Sequence, residues 1–130
     1  MRLLIDTHVF VWMTVEPGRV RESVQAALGA RETAVFVSAA SIWEIAIKRA
    51  LGRLQFPLEE LDTILARTGF DPLPITAAHG IAAGGLPRHH ADPFDRMLVA
   101  QAQVEDLVLV SDDRAFPPYG VRLFGQAGAP

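Results

Sequence analysis

The sequence predicts an α/β fold, a three-layer α/β/α sandwich around a mostly parallel sheet of four or five strands. Three observations carry this. Short apolar runs recur without polar alternation, as expected of strands buried on both faces. Longer segments between them repeat apolar residues at helical spacing. The two kinds of segment alternate along the chain, which implies parallel crossovers.

The elements follow in order. Residues 2–6 (Arg-Leu-Leu-Ile-Asp) read as a strand that ends in a carboxylate. Asp6 could cap a helix starting near His8. Residues 19–29 place Val20, Val24 and Leu28 at four-residue steps and stop at Gly29. Residues 34–38 (Ala-Val-Phe-Val-Ser) are a second strand. Residues 41–51 carry Ile42, Ile45 and Ala46 and stop before Gly52; residues 58–68 carry Leu58, Leu61, Ile64 and Leu65. Residues 73–75, between the prolines at 72 and 74, are a short third strand, and 76–83 a weaker helix. Residues 93–104 carry Phe94, Met97, Leu98, Gln101 and Val104 on one helix. Residues 107–111 (Leu-Val-Leu-Val-Ser) are a fourth strand and 121–124 a candidate fifth.

The 130 residues suit a single domain over 1–124, with 125–130 as a frayed tail. Cysteine is absent, which excludes a disulfide framework, a thiolate zinc site and a cysteine nucleophile, and fits a reducing cytoplasm. The formal net charge of −3 is not that of a protein that coats nucleic acid by bulk attraction, although metal held by carboxylates could reverse the sign locally. No apolar stretch reaches the ~18 residues of a membrane span. Met1 to Ile5 lacks the basic and long apolar regions of a secretory signal.

Carboxylates recur at the segment junctions: Asp6, Glu44, Asp92, Asp95, Asp112 and Asp113. Each has a structural reading. Ser41 and Glu44 are spaced as a capping box, and Glu44 precedes Lys48 by one helical turn. Asp92-Pro93-Phe94-Asp95 reads as an N-cap, a proline at N1 and an acid at N3. Asp112 or Asp113 could cap the turn through Arg114 and Phe116. A shared reading covers them better. In parallel sheets, sites form beyond the carboxyl ends of the strands, and if the first and fourth strands are neighbours their acids meet there. A buried charge such as Asp6 must be paired or hold a metal, and clustered oxygens suit Mg²⁺ or Mn²⁺.

Rival readings are weaker. His89-His90 could belong to a zinc or iron site, but adjacent histidines cannot easily face one metal from a regular element. His8 packs or hydrogen-bonds near the site. No phosphate-binding loop of the nucleotide hydrolases is present. A phosphoaspartate phosphatase needs a second acid where His8 stands, and a receiver domain needs a late lysine, whereas Lys48 is the only lysine.

Taken in order and spacing, four blocks resemble the PIN-domain ribonucleases, in particular the VapC-type toxins of bacterial type II toxin–antitoxin pairs. They are Leu3-Leu4-Ile5-Asp6-Thr7-His8; Ser38 to Lys48, with Leu51-Gly52-Arg53-Leu54; His89 to Ala102; and Leu109 to Phe116. The resemblance runs over residues 2–124. It implies a PIN-like sandwich and a metal-dependent endoribonuclease. Asp6, Glu44, Asp95 and Asp113 are then the catalytic acids that bind Mg²⁺ or Mn²⁺. Asp113 belongs to a Thr/Ser-x-Asp pattern that Ser111 completes with serine. Asp92 and Asp112 are accessory acids, and Arg96 is a phosphate contact. RNA is the expected substrate, cut by water to leave a 5′-phosphate and a 3′-hydroxyl. The resemblance also implies a cognate VapB-type antitoxin, a homodimer and a cytoplasmic location, with no membrane role. The segment from Ile42 to Phe56 adds a hint of assembly, since Trp43, Ile47, Leu51, Leu54 and Phe56 give it more than one apolar face. The alternative function is a catalytically silent PIN-fold protein that binds an antitoxin or RNA.

Overall fold

In the computed structural model, residues 1–111, 113 and 115–125 are described. The strands are β1 (Arg2–Ile5), β2 (Ala34–Ser38), β3 (Asp71–Leu73) and β4 (Val108–Val110). They pair in parallel in the order β3-β2-β1-β4. The helices are α1 (Thr7–Val15), α2 (Glu22–Gly29), α3 (Ala39–Ala50), α4 (Leu61–Thr68), α5 (Ala77–Gly84) and α6 (Pro93–Val104). Ile5 lies opposite Val37 on one side and Val110 on the other, so β1 and β4 end level with each other.

The pleat sorts the strand residues into two cores. Leu3 and Ile5 face a cluster with Phe10, Val24, Val37, Ile45 and Ile64. Leu4 faces the opposite cluster, with Leu98, Val99, Leu109 and Phe116. Helices cover both faces, α5 packing on α6. Leu3, Leu4 and Ile5 are fully buried, and each such side chain stabilises the fold by roughly 1.5–3 kcal/mol. Continuous apolar sequence in β1 is therefore a consequence of its central place.

The expected fifth strand is reduced to one parallel bridge between Leu109 and Leu123. Leu109 N–H donates to the Arg122 carbonyl at 2.8 Å and Phe124 N–H to the Leu109 carbonyl at 2.9 Å. Gly120 and Gly125 flank the segment in left-handed conformation, so it turns away before a ladder forms. Residues 126–130 of the expected tail lie outside the described residues. No helix among the described residues is long and apolar enough to cross a membrane.

Two local expectations are corrected. Ser41 is not a cap: α3 begins earlier, and the Ser38 side chain accepts from Ala40 N–H at 3.0 Å. Strand β2 ends where it does because Ser38 can serve both as its last residue and as this cap. Phe56 does not extend an exposed apolar face. It is buried with its ring 5.6 Å from that of Phe10. Trp43 and Leu51, each 62 % exposed, and Ile47 remain on the surface. At steps of four residues they form one row along α3.

Ser38→Ala should lower stability by about 1 kcal/mol, the usual loss for an N-cap hydroxyl, read from the midpoint of urea unfolding at unchanged slope.

Candidate metal centre

Beyond the level ends of β1 and β4, Asp6 N–H donates to the Val110 carbonyl at 3.1 Å, which sets Asp6 beside Ser111. Asp6 caps α1: its Oδ1 accepts from Val9 N–H at 2.8 Å. The side chain is also hydrogen-bonded to Ser111. Burial pushes the Asp6 carboxyl above its ordinary value. The bonds from Ser111 and Val9 and the charge of His8 oppose that, and the charge of Asp113 adds to it.

Asp113 follows Ser111 in a tight turn. Its N–H donates to Ser111 Oγ at 3.0 Å, and its Oδ1 accepts from Ala115 N–H at 2.9 Å. With Asp6, His8, Val9 and Trp12 it lines a cavity of about 330 Å³. The turn-capping reading and the site reading of Asp113 thus hold together. Asp112 and Arg114, expected in the same turn, lie outside the described residues.

Glu44 projects inward from α3 and is 4 % exposed. Its Oε1 accepts from Thr7 Oγ1 at 2.7 Å and its Oε2 from Lys48 Nζ at 2.7 Å. Thr7 Oγ1 also lies 2.9 Å from Ser41 Oγ. A carboxylate can only accept, so the Thr7 proton goes to Glu44 and Ser41 donates to Thr7. The hydroxyls of α1 and α3 thereby fix one oxygen of Glu44, and Lys48 balances its charge.

Asp95 sits in the first turn of α6, where Asp92 is the N-cap. Asp92 Oδ1 accepts from Phe94 N–H at 2.8 Å and from Asp95 N–H at 3.2 Å, with Pro93 between them. Asp95 Oδ2 meets His90 Nε2 at 2.8 Å. Burial above all pushes the Asp95 carboxyl up, to about 6. The charges of Asp92 and Glu44 push the same way, while the bond and charge of His90 oppose them.

The structure therefore links the acids in a chain. Asp6 and Asp113 share a cavity, and Asp95 senses the charge of Glu44. One ligand atom each from Asp113, Asp95 and His90 lie within 4.8 Å of one another. A divalent cation fits this donor set. Hard oxygen donors converge, and burial, with like charge adding to it, holds Asp95 within the set and Asp6 beside Asp113 above the ordinary carboxyl range, which a cation would relieve.

Arg96 is not placed as a phosphate contact. Its NH1 donates to the carbonyls of Pro87 at 2.9 Å and His90 at 3.4 Å, and its NH2 to those of Ala83 at 3.0 Å and Leu86 at 3.1 Å. Those bonds use all the terminal N–H groups of the guanidinium. It clamps the loop between α5 and α6. The expectation that adjacent histidines cannot both face one metal agrees with their placement. Only His90 enters the cluster, while the His89 ring stands edge-on to Tyr119 at 5.1 Å. The roles of Thr7 and Tyr119, whose hydroxyl donates to the His90 carbonyl at 3.3 Å, carried no sequence signal beyond proximity to an acid or a turn.

A family model described as PIN domain matches residues 3–121. No curated protein matches the chain. Solved structures are similar in fold. VapBC2 from Rickettsia felis, bound to a DNA fragment from its promoter, is 16 % identical with a TM-score of 0.70, over 95 % of this chain and 96 % of that one. FitAcB from Neisseria gonorrhoeae is 23 % identical with a TM-score of 0.66, over 94 % and 96 %. A toxin–antitoxin complex from Klebsiella pneumoniae is 19 % identical with a TM-score of 0.57, over 85 % and 86 %.

The raised Asp95 carboxyl has a consequence for the metal-free protein. Its ordinary value is 3.8 and its value in the fold about 6. Between the two the folded state binds the extra proton, so stability falls as pH rises through that window, and the full loss is present above it. Asp95→Asn should therefore stabilise the EDTA-treated protein near neutral pH by about 1–2 kcal/mol, allowing for solvent screening. The gain should shrink as pH falls below 6. Thermal melts across that range check it.

Proposed function

This chain belongs to the PIN domain family, and from that premise we propose that it is a metal-dependent endoribonuclease, the toxin of a type II toxin–antitoxin pair. The observation that supports this reading is the grouping of Asp95, Asp113 and His90 within reach of one ion, with Asp6 sharing a cavity with Asp113 and Glu44 close enough to Asp95 for its charge to be felt. In the proposal these acids hold Mg²⁺ or Mn²⁺. Such a cation, when bound, supplies Lewis-acid chemistry, acidifying a water and offsetting charge on a phosphodiester.

The chain's own residues do the positioning. Ser111 and the N–H of Val9 orient the Asp6 carboxylate. Thr7 and Lys48 orient Glu44, and Lys48 lowers the negative field that a phosphate must enter. Asp92 sets the first turn of α6 so that Asp95 faces the same point. Next to His90 opens a cleft of about 450 Å³ lined by Arg88, His89 and Ala91 among others. Arg88 takes over, in this proposal, the phosphate contact that Arg96 does not make. A single-stranded RNA segment is the substrate class, because its backbone and splayed bases can enter an open cleft.

A VapB-type antitoxin and a second copy of the chain are the proposed protein partners, and the cytoplasm the proposed compartment. The similar structures are VapBC and FitAcB assemblies and a toxin–antitoxin complex, which supports an antitoxin partner. The exposed row of Trp43, Ile47 and Leu51 supports a protein interface, since so apolar a stripe is costly to leave in water.

Purified protein, freed of any co-purified partner, should cleave a broad RNA pool with Mn²⁺ and not with EDTA. Asp6→Asn should reduce cleavage by roughly a hundredfold or more. Equal inactivity of both proteins would favour a silent binding protein instead. Arg88→Ala should raise KM for RNA a few-fold with little change in kcat, and its effect should fade as salt rises. In sedimentation, species heavier than the 14.2 kDa chain are expected, with Leu51→Glu shifting the distribution toward that mass.

A further inference from the structure

We propose that His90 supplies an imidazole nitrogen to the cation held by Asp95 and Asp113, making the centre a mixed nitrogen–oxygen site that favours Mn²⁺ over Mg²⁺. The inference rests on the metal-dependent reading above and adds a ligand and a metal preference to it.

Geometry is the first argument. His90 Nε2 lies 2.8 Å from Asp95 Oδ2, and the ligand atoms of His90, Asp95 and Asp113 all lie within 4.8 Å of each other. An ion bonded at ~2.1 Å spaces its ligands from ~3 Å at right angles to ~4.2 Å across the ion. The His90–Asp95 separation is that of two adjacent ligands, and modest side-chain rotation brings Asp113 to the same point.

The loop carrying His90 is the second argument. Its backbone is held from two directions: the His90 carbonyl accepts from Tyr119 Oη at 3.3 Å and from Arg96 NH1 at 3.4 Å. Arg96 follows Asp95 on α6, so the helical turn that presents Asp95 also fixes the residue that meets it. A site assembled on a supported backbone holds its ligand geometry with little reorganisation. His89 is turned aside onto Tyr119, so the loop presents one ring and not two.

Donor chemistry gives the preference. Mg²⁺ favours oxygen and keeps much of its water, whereas imidazole suits transition ions. An all-carboxylate centre would discriminate little between Mg²⁺ and Mn²⁺, and one nitrogen tilts it to Mn²⁺. The competing role for His90 is to orient Asp95 through a hydrogen bond without touching the ion. A second nitrogen is also near, since His8 lines the cavity shared by Asp6 and Asp113.

Metal-stripped full-length protein loaded with Mn²⁺ alone distinguishes these. Pulsed electron paramagnetic resonance should show coupling to a directly bound nitrogen. The coupling should change when histidine is ¹⁵N-labelled, vanish in His90→Asn and persist in His8→Asn. Calorimetry should show Mn²⁺ affinity falling by roughly tenfold or more in His90→Asn, and Mg²⁺ affinity falling less. His90→Asn leaves the backbone carbonyl and both its donors in place. Should that variant fail to fold, the labelled wild-type spectrum and His8→Asn still decide. Bound Mn²⁺ without nitrogen coupling, or coupling lost only in His8→Asn, overturns the His90 ligand while the metal-dependent reading stands. Failure of the wild type to bind Mn²⁺ overturns that reading and the ligand with it.

Discussion

Like charge held at one edge of a buried sheet is the constraint on which the rest of the structure depends. β1 and β4 end level, and the chain that leaves them must turn outward while carrying Asp6 and Ser111. α3 and α6 approach the same edge with Glu44 and Asp95. Burial above all, with repulsion among these groups adding to it, raises the carboxyls of Asp6 and Asp95. Such an arrangement survives only where the surrounding core compensates for it. Here β1 compensates, its Leu3, Leu4 and Ile5 being wholly enclosed between two apolar layers.

The strain is also spread over groups with structural work. Asp6 caps α1, Asp113 closes the turn after β4, and Glu44 joins α1 to α3 through Thr7 and Ser41. Asp6 and Asp113 thus spend part of their hydrogen-bonding capacity on backbone N–H groups and Glu44 on the side chains of Thr7 and Lys48. Asp92 differs. Its Oδ1 takes both N–H groups at the start of α6, and it acts on the cluster chiefly as a nearby negative charge. An accessory acid in the sequence is in this sense a helix cap whose field reaches the site.

What was legible in the sequence follows from the range of the physics involved. Strands β1, β2 and β4 were legible because double burial demands unbroken apolar runs. The cap of α6 was legible because Asp-Pro-x-Asp encodes it within four residues. The acids stood out in the sequence because carboxylates recur together at segment junctions, although each taken alone also reads as a cap or an ion pair. Contacts between distant segments were not legible. Ser38 and Ser41 differ only in where β2 stops pairing, and Phe56 is drawn inward by Phe10, far away in the chain. Arg96 beside Asp95 looks like a phosphate ligand until the loop carbonyls of Ala83, Leu86, Pro87 and His90 close around it. That His90 and not His89 enters the cluster was beyond reach for the same reason, since the His89 ring rests on Tyr119, a residue of another segment.

Helix α3 carries the two properties of the molecule on adjoining faces, Ile47 standing one turn from Glu44. Glu44 and Ile45 face inward, toward the acids and the core, while Trp43, Ile47 and Leu51 face water. The sides meet at both ends of the Glu44 site. The Trp43 ring packs edge-on against Phe94 at 5.2 Å, and Phe94 adjoins Asp95 on α6. Lys48, bonded to Glu44, follows Ile47 in the row. The near end of that apolar row therefore lies within one helical turn of Glu44 and beside Phe94 and Lys48. Coupling between such a surface and the centre requires no moving domain, because a single helix, nucleated by Ser38 and tied to α1 by Thr7, presents both.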